Sequence, residues 1–473
     1  MTEPLDTNQM IQEGLSGIAS DQERLDRIDR YIRGEHDGPY TPQSASAEYK
    51  LLAQRAISNW MPLLVKTPSQ AMAVSGYRRA GVPDGETSPE WKAWQANRMD
   101  SRQTAVHRGG LASGLSYVTV QRDALGQPKA RGVSARQLFA WYADPAGDAL
   151  PVWALEMPRR PDANNAKDVA KGWLYTNTSV IEVLVSGGKD ATIQVVSGAP
   201  HGITLNGVPV CPVVRFAPDI DLEGRVTGVV EPMIPIQDRV NQTVFDLLVA
   251  QTFGSFKVRT VAGMAPEFQR DPETGEIIYD ENGRPKPIPI RADASRFLVA
   301  KDADTKFGQL DETPLGGFLD AIEAGVKHLA AVSQTPPHYL LGSMVNLSAE
   351  ALAAAEAAMS RAVTEYQHSI GESWEMVLAL FGAILGQPYD PEAQVTWADF
   401  ESRSLAQTVD ALGKAVQMLQ VPARAMWSRI PGVTGKDVEE WAQIAEEDNS
   451  EARLASAVTK ALVPAPAEAE NAA

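Results

Sequence analysis

A chain of 473 residues with 44% hydrophobic and 22% charged side chains is long enough to bury a core and too apolar to be disordered. Its 60 Asp and Glu against 43 Lys and Arg leave a net charge of −17, which argues against an open nucleic-acid-binding surface, because such surfaces match phosphates with cations. The single cysteine, Cys211, excludes an intramolecular disulfide and a Cys-rich zinc module.

The polar stretch from Met1 to Asp21 gives no expectation of a signal peptide. No run reaches the ~18 apolar residues needed to cross a bilayer. The N-x-S/T triplets at Asn177, Asn241 and Asn346 then read as chance matches. Leu15, Ile18, Leu25, Ile28 and Ile32 recur near a helical period and predict an opening helical segment that stops at Gly34 and Gly38-Pro39. A second helix is predicted from about Ala47 to Val65 and an extended run from Val74 to Arg79. A third helix, from Pro89 to about Leu111, carries Trp91, Trp94 and Met99; Gly114 ends it and Tyr117–Val120 reads as a strand.

To about Pro218 the pattern is β, with Val180–Val185, Thr192–Val196 and a hairpin turn at Asn206-Gly207. Cys211, inside Val210–Val214, reads as a buried strand residue with no neighbour to lower its pKa. Residues 55–136 hold 12 basic and 5 acidic side chains, which fit a solvated face and a contact to an acidic partner equally well. Asp219–Gly224 matches the opening of a calcium loop, but the twelfth position is Val230 where a bidentate Glu is needed, so the string reads as an acidic turn.

A helix from about Pro232 to Phe253 carries the stripe Ile236, Val240, Val244 and Leu247. Residues 257–314 are turn-rich, with Asp271–Gly275 and Asp280–Gly283, and read as a small α/β insertion. The next helix, about Leu315–Ser333, has Phe318, Ile322, Val326 and Leu329 on one side and Asp320, Glu323, Lys327 and Gln334 in a narrow arc opposite. Thr335-Pro336-Pro337 breaks the chain, and His338–Leu347 reads as an apolar loop. Ser348 can cap a long helix whose apolar positions, from Leu352 to Phe381, keep spacings of three and four to Leu385. Gly371 is a possible kink in it. Short helices follow at Leu405–Leu419 and Gly435–Glu447, and the Ala/Pro/Glu tail after Val463 reads as disordered.

No phosphate loop, H-E-x-x-H or G-x-S-x-G string is present, and none of the six histidines pairs at i, i+4. No catalytic residue, cofactor or metal is nominated.

The order of these parts resembles the portal proteins of tailed bacteriophages. The resemblance rests on Arg30–His36, on Ser58-Asn59-Trp60 through Val74–Tyr77, on Gly110–Val120, on Val208–Phe216, and most specifically on Ser333–Gly342 followed by Asn346–Leu352. It implies an α+β, portal-type subunit: an α/β wing and body at 1–225, stem helices at 226–256 and 315–334, and a small α/β clip at 257–314. A channel loop follows at 335–347, a long helix at 348–386, a helical crown at 387–460 and a disordered tail at 461–473. It implies a homo-oligomeric ring, usually a dodecamer, at one capsid vertex. Double-stranded DNA would pass through it, driven by a separate terminase large subunit. The implied partners are the major capsid protein, terminase and a head–tail adaptor, with no membrane; the implied location is the virion, after assembly in the host cytoplasm.

Under that resemblance Asp320, Glu323 and Lys327 become candidate channel lining, with inter-subunit ion pairing as the equal alternative. The loop His338, Tyr339, Leu340, Leu341, Gly342, Ser343, Met344, Val345, Asn346 and Leu347 becomes a candidate gasket around DNA, with burial in the core as the alternative. A capsid-associated hydrolase with dispersed carboxylates is the competing function. An ATP-driven translocase fails on the missing phosphate loop.

Overall fold

The structure, a computed structural model, describes residues 6–42, 46–80, 87–162, 164–188, 192–254, 259–262, 268–280, 283–286, 306–309, 314–342, 349–398, 405–427, 429–430, 433, 437–438 and 440–447. The opening helical segment is two helices, α1 (Thr7–Ser20) and α2 (Gln22–Arg33), parted at Asp21, and Gly34 closes α2. The predicted helix Ala47–Val65 is also two, α3 (Ala47–Arg55) and α4 (Met61–Gln70). Pro62 has no N–H to continue a helix, and the intervening amides bond to distant side chains instead. Ser58 N–H donates to Asn241 Oδ1 and Trp60 N–H to Gln237 Oε1, each at 3.2 Å.

After β1 (Val74–Arg78), the third predicted helix divides into α5 (Pro89–Ala96) and α6 (Met99–Ser113). Buried Asn97 makes the break: its amide donates to Ala93 O and Pro128 O, and its Oδ1 accepts from Ala130 N–H. Arg98 turns the chain through the left-handed region, φ 54°. Gly114, at φ 85°, ends α6 where a side chain would be strained.

Among the described residues, eleven strands precede residue 217. They are β1, β2 (Ser116–Arg122), β3 (Pro128–Ser134), β4 (Leu138–Trp141), β5 (Trp153–Glu156), β6 (Val169–Thr176), β7 (Ser179–Ser186), β8 (Ile193–Pro200), β9 (Thr204–Leu205), β10 (Val208–Pro209) and β11 (Val213–Phe216). The β9–β10 turn is Asn206-Gly207 with φ of 48° and 79°, the left-handed pair a tight hairpin needs. Cys211 lies just before β11 rather than in a strand; it is buried, and burial pushes its thiol well above the usual range.

Then come α7 (Ile234–Gly254), β12 (Arg259–Ala262), β13 (Lys306–Gln309), α8 (Gly316–Val332), α9 (Pro337–Leu341), α10 (Ala349–Leu385), β14 (Gln394–Trp397), α11 (Leu405–Leu419) and α12 (Arg424–Trp427). Ser343–Leu347, the capping Ser348, the tail after Val463, and residues 263–267, 281–282, 287–305 and 310–313 of the insertion lie outside the described residues.

The chain forms two compact units. One comprises Met1–His36, Asn59–Gln237 and Lys327–Ala473. Its five-stranded antiparallel sheet runs β4-β5-β6-β7-β8, with α1 against β4 and β5. Ile11, Ile18, Trp153, Leu155, Leu174 and Val183 bury its core. A three-stranded sheet, β11-β2-β3, packs against α6 and α10. The last four turns of α10 bury one side: Ile370, Trp374, Val377, Leu378 and Phe381 are all fully buried. β14 returns beside β1, which lies more than three hundred residues upstream in sequence, with Val74 opposite Trp397.

The other unit comprises Asp37–Ser58 and Asp238–Val326. Ala53, Ala56 and Phe245 form its core, with Tyr49 edge-on to Phe245 at 4.9 Å. β12 and β13 pair antiparallel. The Asp271 and Asp280 turns are stapled by bridges Arg270↔Ile277 and Tyr279↔Pro285. Among the described residues of the insertion no helix occurs, so its expected α part is not seen there.

Candidate functional site

The helix expected to present a polar stripe does so. On α8, Asp320, Glu323 and Lys327 are exposed, while Gly325, Val326, Leu329 and Ala330 are buried. The reason is the 3.6 period: three and four residues separate the polar positions, so they stay on the side away from Val326 and Leu329. Gly325 allows close approach to α7, since a Cβ built there would lie 2.6 Å from Val240 Cγ2. His328, Leu319 and Val332 share the exposed side, so the face is mixed rather than purely acidic.

The end of α8 is built by a polar corner. Thr335 N–H donates to Ala330 O at 3.0 Å and Gln334 N–H to Ala331 O at 3.4 Å, closing the helix as a left-handed cap. Gln334 occupies the position that usually holds glycine, at φ 54°. It therefore leaves the helical arc on which its spacing placed it. Ser333 Oγ donates to Leu329 O at 2.7 Å and shares a 3.0 Å hydrogen bond with Thr335 Oγ1. Pro336 is buried and Pro337 opens the next element at a position where its missing N–H costs nothing.

A loop was expected from His338; the structure has α9 instead, so His338, Tyr339, Leu340 and Leu341 are helical and Gly342 is its cap. Leu340 is buried, with 9% exposure, which fits core rather than gasket at that residue. Trp60 Nε1–H donates to Leu340 O at 3.4 Å. Tyr339 Oη donates to Glu356 Oε1 at 3.1 Å, and His338 Nε2 is 3.9 Å from the same oxygen. Burial, then the Glu356 charge, raises the Tyr339 phenol above its ordinary pKa. Thus α9 is fastened to α10 by Tyr339 and to the chain before α4 by Trp60. Sequence spacing gave no signal for Glu356, which lies 17 residues from Tyr339.

Beside this corner is a cavity of about 300 Å³, between the Thr227–Met233 turn, the end of α8 and the middle of α10. Gln334, Asp219, Glu365 and Tyr366 line it. Burial and the two carboxylates raise the Tyr366 phenol.

The calcium-like string is an acidic turn. Asp221 Oδ1 accepts from Glu223 and Arg225 N–H, and Oδ2 from Arg225 Nε at 2.7 Å. Arg225 holds the Asp221 carboxyl below its usual range, and Leu222 is 97% exposed. Among the described residues no three His, Cys, Asp or Glu side chains gather as a metal site, and no helix is long and apolar enough to cross a membrane. Part of the basic excess of residues 55–136 is engaged within the unit. Arg79 pairs with Glu90, Arg131 with Glu156, and Arg136 with Asp26 and Asp29, while Arg122 donates to Ile384 O.

A polar helix face thus precedes a proline corner, and a 37-residue helix comes next among the described elements. The chain belongs to the family of phage portal proteins of the SPP1 Gp6-like type, whose family model matches residues 16–453. It is 26% identical over 366 residues to the portal protein of Mycobacterium phage D29, spanning 74% of this chain and 71% of that one. It is 24% identical over 377 residues to the portal protein of Mycobacterium phage L5, at the same coverage. Among solved structures, a chain from the virion of a native gene transfer agent particle matches with a TM-score of 0.44 and 12% identity, covering 85% of this chain and 98% of that one.

Proposed function

We propose that this protein is the subunit of a portal ring, a dodecamer at one vertex of the phage head, through which double-stranded DNA enters and leaves. It has no catalysis of its own. The observation that carries the reading is the family match over residues 16–453. In this reading 226–256 and 315–334 are stem helices and 257–314 is the clip, which meets terminase and the head–tail adaptor. Residues 335–347 form the channel loop, 348–386 the long helix and 387–460 the crown. Residues 1–225 form the wing and body, which meet the major capsid protein.

The charge supports passage rather than capture. Each cation facing phosphate adds salt-dependent affinity and slows a sliding duplex. The exposed side of α8 offers Asp320 and Glu323 with Lys327 and His328 among them, a face without a surplus of cations. Two carboxylates, Glu90 and Glu156, are buried and joined to Arg79 and Arg131, so these two hold the fold rather than serve the competing hydrolase.

Negative-stain imaging of the purified full chain tests the reading. Rings with a central hole are expected. A monomer at micromolar concentration across low and high salt overturns it.

A further inference from the structure

The ion pairs within residues 55–136 leave a remainder. Arg79, Arg131 and Arg136 meet carboxylates. Lys92, Arg98, Arg102 and Lys129 are exposed, and among the described residues none has an ion pair or a side-chain hydrogen bond.

These four are far apart in sequence, and one buried side chain gathers them. Asn97 Nδ2–H donates to Ala93 O at 2.9 Å and to Pro128 O at 2.8 Å, and Asn97 Oδ1 accepts from Ala130 N–H at 3.0 Å. Lys92 adjoins Ala93, and Arg98 follows Asn97 directly. Lys129 stands between the two β3 residues that Asn97 holds. Those two are buried and Lys129 is exposed, as the alternation of a strand requires. Arg102 is one turn beyond Arg98, its N–H donating to Arg98 O at 3.3 Å. Arg122, opposite Pro128 in the ladder, is exposed as well and donates to Ile384 O.

From the start of α5 to the end of β3 the carboxylates are Glu90, Asp100 and Asp123. Glu90 is joined to Arg79. Asp100 accepts from Trp94 Nε1–H at 2.7 Å, and Asp123 accepts the Leu125 and Gln127 amides of the β2–β3 turn. Cations are therefore in surplus on this surface, in a chain whose net charge is −17. A cationic surface built of long, uncommitted side chains is complementary to a polyanion.

The residues around the cations decide which polyanion. The core of a protein–protein contact is poor in charge and rich in aromatic and Met side chains. A phosphate backbone is held by Arg and Lys together with Ser, Thr, Asn and Gln. Here the exposed neighbours include Gln95, Ser101 and Gln127, and the one large apolar side chain standing out, Leu125, is alone at the turn tip.

We infer that the surface where the α5–α6 junction meets the start of β3 is a sequence-independent contact for the phosphate backbone of double-stranded DNA. It goes beyond the ring reading and is carried by other elements than the polar face of α8.

The probe is a covalently closed duplex circle, which cannot thread a preformed ring, so passage through a channel does not contribute to binding. Full-length protein is titrated with it at several salt concentrations. Expected is binding at about 50 mM salt that weakens steeply toward about 200 mM. Arg98→Gln combined with Lys129→Gln should bind about tenfold more weakly or worse at the lower salt, with a shallower salt slope. Lys50→Gln combined with Arg55→Gln removes the same charge from exposed positions of the other unit and should bind like wild type. No binding by the wild type, wild-type affinity in the Arg98/Lys129 variant, or an equal loss in both variants overturns the proposal. Lysine acetylation of the wild type, read by mass spectrometry, makes the test independent of any effect of substitution on folding. DNA should protect Lys92 and Lys129 and leave Lys50 unchanged; equal acetylation of Lys129 with and without DNA overturns the proposal. A polyglutamate peptide that binds through Arg98 and Lys129 where the circle does not bind overturns it as well and assigns the surface to an acidic protein. Rings or monomers in negative stain decide the ring reading separately, because the circle reports on this surface in either state.

Discussion

The indole N–H of Trp374 donates to Nε2 of His107 at 2.8 Å. His107 is wholly buried, and its Nδ1 lies 3.2 Å from Met72 O. The two contacts leave one tautomer: Nδ1 carries the proton and gives it to Met72, and Nε2 accepts from Trp374. A second proton has no acceptor, and burial lowers the pKa from 6.5 to about 4.

That depression makes stability depend on pH. The folded protein binds this proton less readily than the unfolded chain, so the contribution is complete above about pH 6.5 and is lost as pH falls toward 4. The loss over that window is about 3 kcal/mol. Urea midpoints measured at pH 7 and pH 5 should differ. In His107→Leu the protein is less stable at pH 7, because Trp374 and Met72 lose a partner, and its pH slope over this window is shallower. An unchanged slope would remove His107 as the cause.

Gln334→Gly should stabilise the protein. Glutamine at φ 54° bears a side-chain penalty that glycine does not, offset in part by glycine's looser unfolded chain. A gain of about 0.5–1 kcal/mol is expected in thermal unfolding. Gln334→Val, branched at Cβ, should cost more than glycine gains; equal melting temperatures for all three would show that the corner is unstrained.

Gly325→Ala should change sign with its neighbour. In a helix alanine is favoured over glycine by about 1 kcal/mol. Here the new Cβ meets Val240 Cγ2 at 2.6 Å, and a β-branched side chain has few rotamers in which to yield. Against Val240 the substitution should destabilise by about 1–2 kcal/mol. In the Val240→Ala background it should stabilise. A gain in both backgrounds would mean that α7 and α8 part freely.

Asp320→Lys combined with Glu323→Lys tests the polar face. Rings should form, because both positions are exposed. DNA packaging should slow severalfold at low salt and recover as salt rises, since added cations grip phosphate. Loss of rings would favour inter-subunit ion pairing; unaltered packaging at every salt concentration would take the face off the DNA path.

Periodicity made the long elements legible. The spacings from Met359 to Phe381 predicted α10, and the opposed arcs of α8 predicted that Asp320, Glu323 and Lys327 face away from Val326. The breaks were less legible because their causes are distant. The interruption at Ser58–Trp60 is fixed by Gln237 and Asn241, and the one at Asn97 by the backbone of β3. Pro62 was the only local sign of the first. At the candidate site the proline corner announced itself, whereas the helical state of His338–Leu341 depends on Trp60 and Glu356, which no pattern within the segment contains.

The burial of α10 is uneven along its length, and this has a mechanical consequence. From Ile370 onward the helix buries Ile370, Trp374, Val377, Leu378 and Phe381, whereas Val363 is the one fully buried apolar side chain in the stretch from Glu356 to Ser369. Between Glu356 and Phe381 such a rod is a cantilever, clamped at its far end and sparsely supported before it. Tyr339 loads it at Glu356, fourteen residues from Ile370, a lever arm of roughly 21 Å at ~1.5 Å per residue. A sideways pull on α9 is therefore carried as a bending moment to the aromatic clamp around Trp374, where stiffness is greatest, rather than being spent in the side chains near Tyr339.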